Sequence, residues 1–136
     1  MGDIRFVALL LAGLAVAGYF FLWHLPSRRS AREGPRRPLF EARCPVRTGF
    51  AWWFYMGGYG RFALYDDFMV AVYLLRNELA YSDIGHAELR RPLLAKGIYL
   101  FPRNPGGPRY VAVFPRDPEH VVMLLERRGL TVTRKV

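Results

Sequence analysis

The sequence has a single cysteine, Cys44, so neither an intramolecular disulfide nor a thiolate metal cluster holds the chain together. Lysine is almost missing as well. Arginine supplies all but Lys96 and Lys135 of the 20 basic residues, so the formal charge of +9 is carried by guanidinium, the group suited to carboxylate and phosphate forks. The three histidines, His24, His86 and His120, are scattered and lack the spacing of a metal-binding helix pair. No G-x-S-x-G, G-x-x-x-x-G-K or G-x-G-x-x-G run occurs. The glycine-rich Gly57-Gly58-Tyr59-Gly60 has no Lys-Ser/Thr sequel and is expected to make a turn, and Asp66-Asp67 fits a hairpin break better than a pair of catalytic acids. These absences argue against an enzyme. No cofactor and no metal is expected.

What is present is apolar. Of 136 residues, 52% are hydrophobic and 15% aromatic, which supplies material for one ordinary domain and excludes a disordered chain. From Phe6 to Leu25 the sequence carries no formal charge, and at helical rise that stretch covers about 30 Å, the thickness of a bilayer core. Tyr19 and Trp23 lie near its end, where aromatic rings favour the headgroup level. A membrane anchor over residues 1–25 is the expectation. The alternatives are a buried core helix and a signal peptide, the latter with Arg5 as its basic flank and Ala15-Val16-Ala17 as an A-x-A cleavage site. Against cleavage, Phe20, Phe21, Leu22 and Trp23 would be left as an apolar new terminus.

Arg28, Arg29, Arg32, Arg36 and Arg37 follow the apolar run against Glu33 alone, whereas Arg5 before it is offset by Asp3. The positive-inside rule then places the rest of the chain in the cytoplasm. Residues 26–47, with Pro26, Pro35, Pro38 and Pro45, read as an extended basic tether. Its arginines serve insertion topology and also suit anionic lipid heads; specific nucleic-acid binding is not expected, since no recognition motif accompanies them.

From residue 48 to 136 the pattern changes to short strand-like runs. Seven are expected: 49–55 ending at Gly57-Gly58, 61–65, 68–75 across Asp66-Asp67, 79–84, 86–90, 97–101 and 110–114, the last two flanking Asn104-Pro105-Gly106-Gly107. Regular short strands with turn signals point to a barrel or sandwich. Asp117, Pro118 and Glu119 then start a helix whose apolar face is Val121, Leu124 and Leu125, widened by Val122, and Gly129 stops it. This helix should cap an open end of the barrel, and residues 130–136 form an extended basic tail. In the run 68–75 both alternating faces are apolar, so part of the outer surface should be covered by another chain or by the tether.

The order of elements, with Leu64-Tyr65-Asp66-Asp67-Phe68, Tyr81-Ser82-Asp83-Ile84-Gly85-His86-Ala87-Glu88-Leu89 and Phe114-Pro115-Arg116-Asp117-Pro118, resembles bacterial membrane proteins with a pleckstrin-homology-like (PH-like) domain. Ala80 and Ala87 stand where that family usually has Pro and Val. The resemblance implies a mainly β fold, a seven-strand PH-like barrel or sandwich capped by a C-terminal helix. Ile84 and Leu89 would face the core, Asp83 would bond turn amides, and none of these residues would catalyse. It further implies a single-pass protein of the bacterial inner membrane with its C-terminal domain cytoplasmic, acting as a non-catalytic module for protein interaction or scaffolding. The alternative function is an anionic-lipid sensor using the tether and the loop Arg90-Arg91-Pro92-Leu93-Leu94-Ala95-Lys96. In that loop Arg90, Arg91 and Lys96 surround two leucines, which are expected to tuck onto the barrel unless they contact lipid.

Overall fold

A computed structural model describes residues 2–24, 28–51 and 53–135. Helix α1 spans Gly2–His24 with no buried residue, and its length and hydropathy suffice to cross a membrane. The other elements are β1 (Phe40–Ala51), β2 (Phe54–Leu64), β3 (Phe68–Tyr73), β4 (Leu75–Ala80), β5 (Ile84–Arg90), β6 (Gly97–Pro102), β7 (Tyr110–Val113), α2 (Pro118–Arg127) and β8 (Val132–Lys135). They build one curled eight-stranded sheet in the order β4-β3-β2-β1-β7-β6-β5-β8. Every pairing is antiparallel except β5 with β8.

Strand alternation turns one face of this sheet inward. Cys44, Val46, Phe62, Leu64, Met69, Ala71, Ala87, Leu89, Ile98, Leu100, Val111 and Val113 fill the concave side, and α2 closes it with Val121, Val122 and Leu125. Ile84 and Leu89 face this core, as the family resemblance implies. Helix α2 starts and stops where its sequence signals stand. The Asp117 side chain accepts from the His120 amide at 3.3 Å. At the other end Gly129, at φ +88°, lets its own amide reach Glu126 O and that of Leu130 reach Leu125 O, the Schellman arrangement.

Several expectations are corrected. Among the described residues there are eight strands, not seven, because the basic tail pairs with β5 and shields its edge. The first hairpin pairs Ala51 with Phe54, Trp52 of the expected strand 49–55 lying outside the described residues, while Gly57 and Gly58 lie inside β2. Gly58 is needed there for packing: a Cβ would stand 2.4 Å from the Tyr73 ring. The run 68–75 ends at Tyr73, and Leu74, at φ +54°, turns the chain into β4, so the next strand is 75–80 rather than 79–84, with a single 3₁₀ turn over Tyr81–Asp83. Asp83 bonds through its backbone, accepting from the Arg103 amide at 2.8 Å. Residues 40–47, read as tether, are the first half of β1; their arginines occupy its outer face while Cys44 and Val46 point inward.

Candidate functional site

The apolar outer side of β3 is covered by residues of the tether itself. Ala63, Tyr65, Phe68, Val70 and Val72 form a second buried cluster on the convex side of the sheet. Over it lies a strap, residues 28–39, which turns at 31–35 instead of running free. Its fixed point is Glu33, fully buried. Glu33 Oε1 receives Arg61 Nη2 at 2.6 Å and the Tyr65 hydroxyl at 2.7 Å, while Oε2 receives Arg76 Nη1 at 3.0 Å and the Ser30 amide at 2.9 Å. The Glu33 amide donates back to Ser30 Oγ at 3.3 Å, so Ser30-x-x-Glu33 forms a reciprocal capping box at the strap's turn. Burial alone would raise the Glu33 pKa; the bonds from Arg61, Ser30 and Tyr65 and the Arg61 charge outweigh it and hold the carboxyl at about 2. Arg61 is in turn bonded through Nε to Glu41 Oε1 at 3.0 Å.

This places the sequence-predicted tether arginines individually. Arg29 donates to Gly34 O and Arg36 O, Arg36 pairs with Asp67 at 2.8 Å, and the Arg32 guanidinium lies 4.2 Å from the centre of the Phe68 ring. The Arg28 carbonyl accepts from Arg76. Among the described residues, the side chains of Arg28 and Arg37 have no such partner and are exposed. Glu33, Arg61 and Arg76 were not foreseen as a cluster. Two signals pointed toward them: the Ser30-x-x-Glu33 spacing and the two apolar faces of 68–75.

Helix α1 meets the domain at its last turn. The Trp23 ring stacks on Tyr59, centroids 5.7 Å apart and planes 13° apart, and Arg43 Nη2 donates to Trp23 O at 2.6 Å. Tyr59 continues into a groove of about 820 Å³ between the first half of β1 and the segment leading to α2. Cys44, Phe114, Lys96 and Leu94 contribute to its walls. A neighbouring groove of about 780 Å³ is lined by Arg47, Tyr55, Gly57, Leu93 and Leu94. The ridge between them is the β5–β6 loop. Its leucines are not tucked onto the barrel: Leu93 is 87% and Leu94 90% exposed. The reason is the ladder, which pairs Arg90 with Gly97 and leaves 91–96 as an outward loop.

The three basic residues singled out there do not act together. Arg90 belongs to β5, is paired with Glu88 and lies over Tyr99 and Phe101, 5.2 and 5.6 Å from their ring centres. Glu88 also receives Lys135 of β8 at 3.0 Å, which ties the tail to the sheet. Arg91 is exposed and Lys96 half-buried. Among the described residues no group of three His, Cys, Asp or Glu side chains is placed to hold a metal ion.

No protein-family model matches the sequence. No curated protein matches it either. Among solved structures, the Vps36 N-terminal PH domain superposes with a TM-score of 0.53 at 17% identity, covering 76% of this chain and 85% of that one. The curled sheet closed by a C-terminal helix is therefore a PH-like fold.

Proposed function

We propose that this chain is a single-pass protein of the bacterial inner membrane that holds a non-catalytic PH-like module against the cytoplasmic leaflet for interaction with another protein. The observation that carries this reading is the join between anchor and domain. A fully exposed apolar helix ends on Tyr59 and Arg43, and the chain after it is buried into the domain through Glu33. A signal peptide released by cleavage has no need of a built contact with the folded domain. The positive flank, Arg28 to Arg37, supports the cytoplasmic orientation.

The surface that faces away from the strap is the outer side of β5, β6 and β7. There His86, Phe101 and Tyr110 form an aromatic surface over the buried Tyr99 ring, with Arg90 covering Tyr99 and Arg109 at the edge. Aromatic and arginine side chains dominate the energetics of protein interfaces, so this is the proposed partner face.

The test uses the full chain in bacterial membranes. A cytoplasmic reporter fused after Val136 is expected to be active, and a photo-crosslinking residue at Tyr110 is expected to give one discrete adduct that Arg109→Glu removes. Activity of a periplasmic reporter alone would overturn the orientation. A crosslinker that gives no adduct, or an adduct indifferent to Arg109→Glu, would overturn the partner face.

A further inference from the structure

We propose that the β5–β6 loop is a second membrane contact: Leu93 and Leu94 enter the acyl boundary of the leaflet from which α1 emerges, while Arg91 and Lys96 lie at its anionic headgroups. It rests on the reading of α1 as a membrane anchor and adds to it the face that the domain turns toward the bilayer.

Three observations carry it. First, Leu93 and Leu94 are the most exposed large apolar side chains of the domain, and they are adjacent at the tip of a loop that the β5–β6 ladder pushes outward. Single exposed leucines are ordinary on soluble surfaces; an adjacent pair on a projecting tip flanked by cations is the pattern of an interfacial wedge.

Second, the loop stands beside the exit of α1. Tyr59 stacks on Trp23 with one side of its setting and lines the groove that Leu94, Ala95 and Lys96 close on the other. The loop and the aromatic end of the anchor thus border one groove, and Trp23 marks headgroup depth. Arg43 holds this face at the helix exit, its Nη2 donating to Trp23 O at 2.6 Å.

Third, the charge has the right sign and is available. Arg91 has no partner among the described residues, and Arg116 joins Lys96 along the groove, with Asp117 the acid there, engaged as the cap of α2. Exposed Arg28 and Arg37 add to the same sign on the strap. Basic side chains near an anionic leaflet favour it, and long cationic stems reach headgroups while their neighbours are buried.

The test places an environment-sensitive nitrobenzoxadiazole (NBD) label on Leu94→Cys in the full chain, reconstituted into phosphatidylcholine vesicles containing phosphatidylglycerol. Native Cys44 does not compete, since it is buried and its thiol is pushed up to about 11. Two further labelled chains serve as references: Leu14→Cys within α1 and Asn104→Cys on the opposite β6–β7 loop.

The expected result is that lipid-borne nitroxide quenches the label at 94 as well as that at 14, with iodide excluded from both, whereas the label at 104 shows the reverse. If 94 behaves like 104 while 14 is quenched by lipid, the loop inference falls and the anchor stands. If 14 is open to iodide, both fall. A label at 94 shielded from iodide but untouched by lipid nitroxide would mean that protein covers the loop, and would overturn the membrane assignment.

Discussion

Glu33 and Arg61 meet at 2.6 Å with side-chain exposures of 0% and 3%, joining the strap to the middle of β2 in a place water does not reach. A buried pair of this kind contributes little net stability by existing but is costly to break from one side, because the remaining charge has lost its solvent and its partner. Arg61 Nη1 already has no hydrogen-bond partner, so the guanidinium has no spare compensation.

Glu33→Gln is therefore expected to destabilise the domain by about 3–5 kcal/mol and to free the strap. Trypsin should then cut after Arg36 in the folded variant while sparing the wild type. Equal cleavage of both would show that the strap is not held through this residue.

The same group sets an acid limit. The carboxyl is held at about 2 in the folded chain against an ordinary 4.5, so the ionised form favours folding over the protonated form by about 3 kcal/mol, a difference complete above pH 4.5 and lost as the pH falls toward 2. Thermal unfolding of the full chain in detergent should show the gap between wild type and Glu33→Gln narrowing across that window. A gap that stays constant through the window would remove Glu33 as the titrating group.

Gly60→Ala should be among the most damaging small substitutions in the sheet. A Cβ at Gly60 would stand 2.0 Å from the Val72 carbonyl oxygen, which is backbone and cannot rotate away, whereas at Gly85 the closest atoms, an Arg103 methylene and the Phe101 carbonyl oxygen, are both at 3.3 Å, a contact relieved by a shift of a few tenths of an ångström. The melting temperature of Gly60→Ala should fall by several degrees and that of Gly85→Ala change little.

Helix α2 separates cap from core. Asp117→Ala removes one amide acceptor and is expected to cost about 1 kcal/mol, whereas Leu125→Ala opens a hole under a fully buried side chain and is expected to cost about 2–5 kcal/mol. Denaturant midpoints measured on the two variants order these effects. A reversed order would mean that α2 is held by its end and not by its face.

Legibility in the sequence followed the range of the interactions involved. Helix α1, the Asp66-Asp67 hairpin, the core strands 86–90 and 97–101, and α2 with its Asp117 and Gly129 signals could be read because each rests on local periodicity or capping. The first half of β1 was legible only in part: Arg43, Pro45 and Arg47 alternate with Cys44 and Val46 at strand period, but arginine and proline content reads equally as tether until pairing with β2 residues 57–61 fixes it. Likewise β8 has a single apolar anchor, Val132, and exists by pairing with β5, a partner some 45 residues earlier in the chain. In the candidate site, the exposed arginines were visible as charge. Which of them are occupied depends on Glu33, Glu41, Asp67 and Glu88, acids that only folding brings near.

The strap also sets how far the module can search. A flexible chain of that length would let the domain roam roughly 20 Å from α1 and meet partners at a diluted effective concentration. Pinned by Glu33 at one end and by the Trp23–Tyr59 stack at the other, this domain has almost no leash. On the proposed reading of α1 as an anchor, a partner would have to arrive at a fixed height and angle above the bilayer, so geometry would filter candidates before any contact chemistry does.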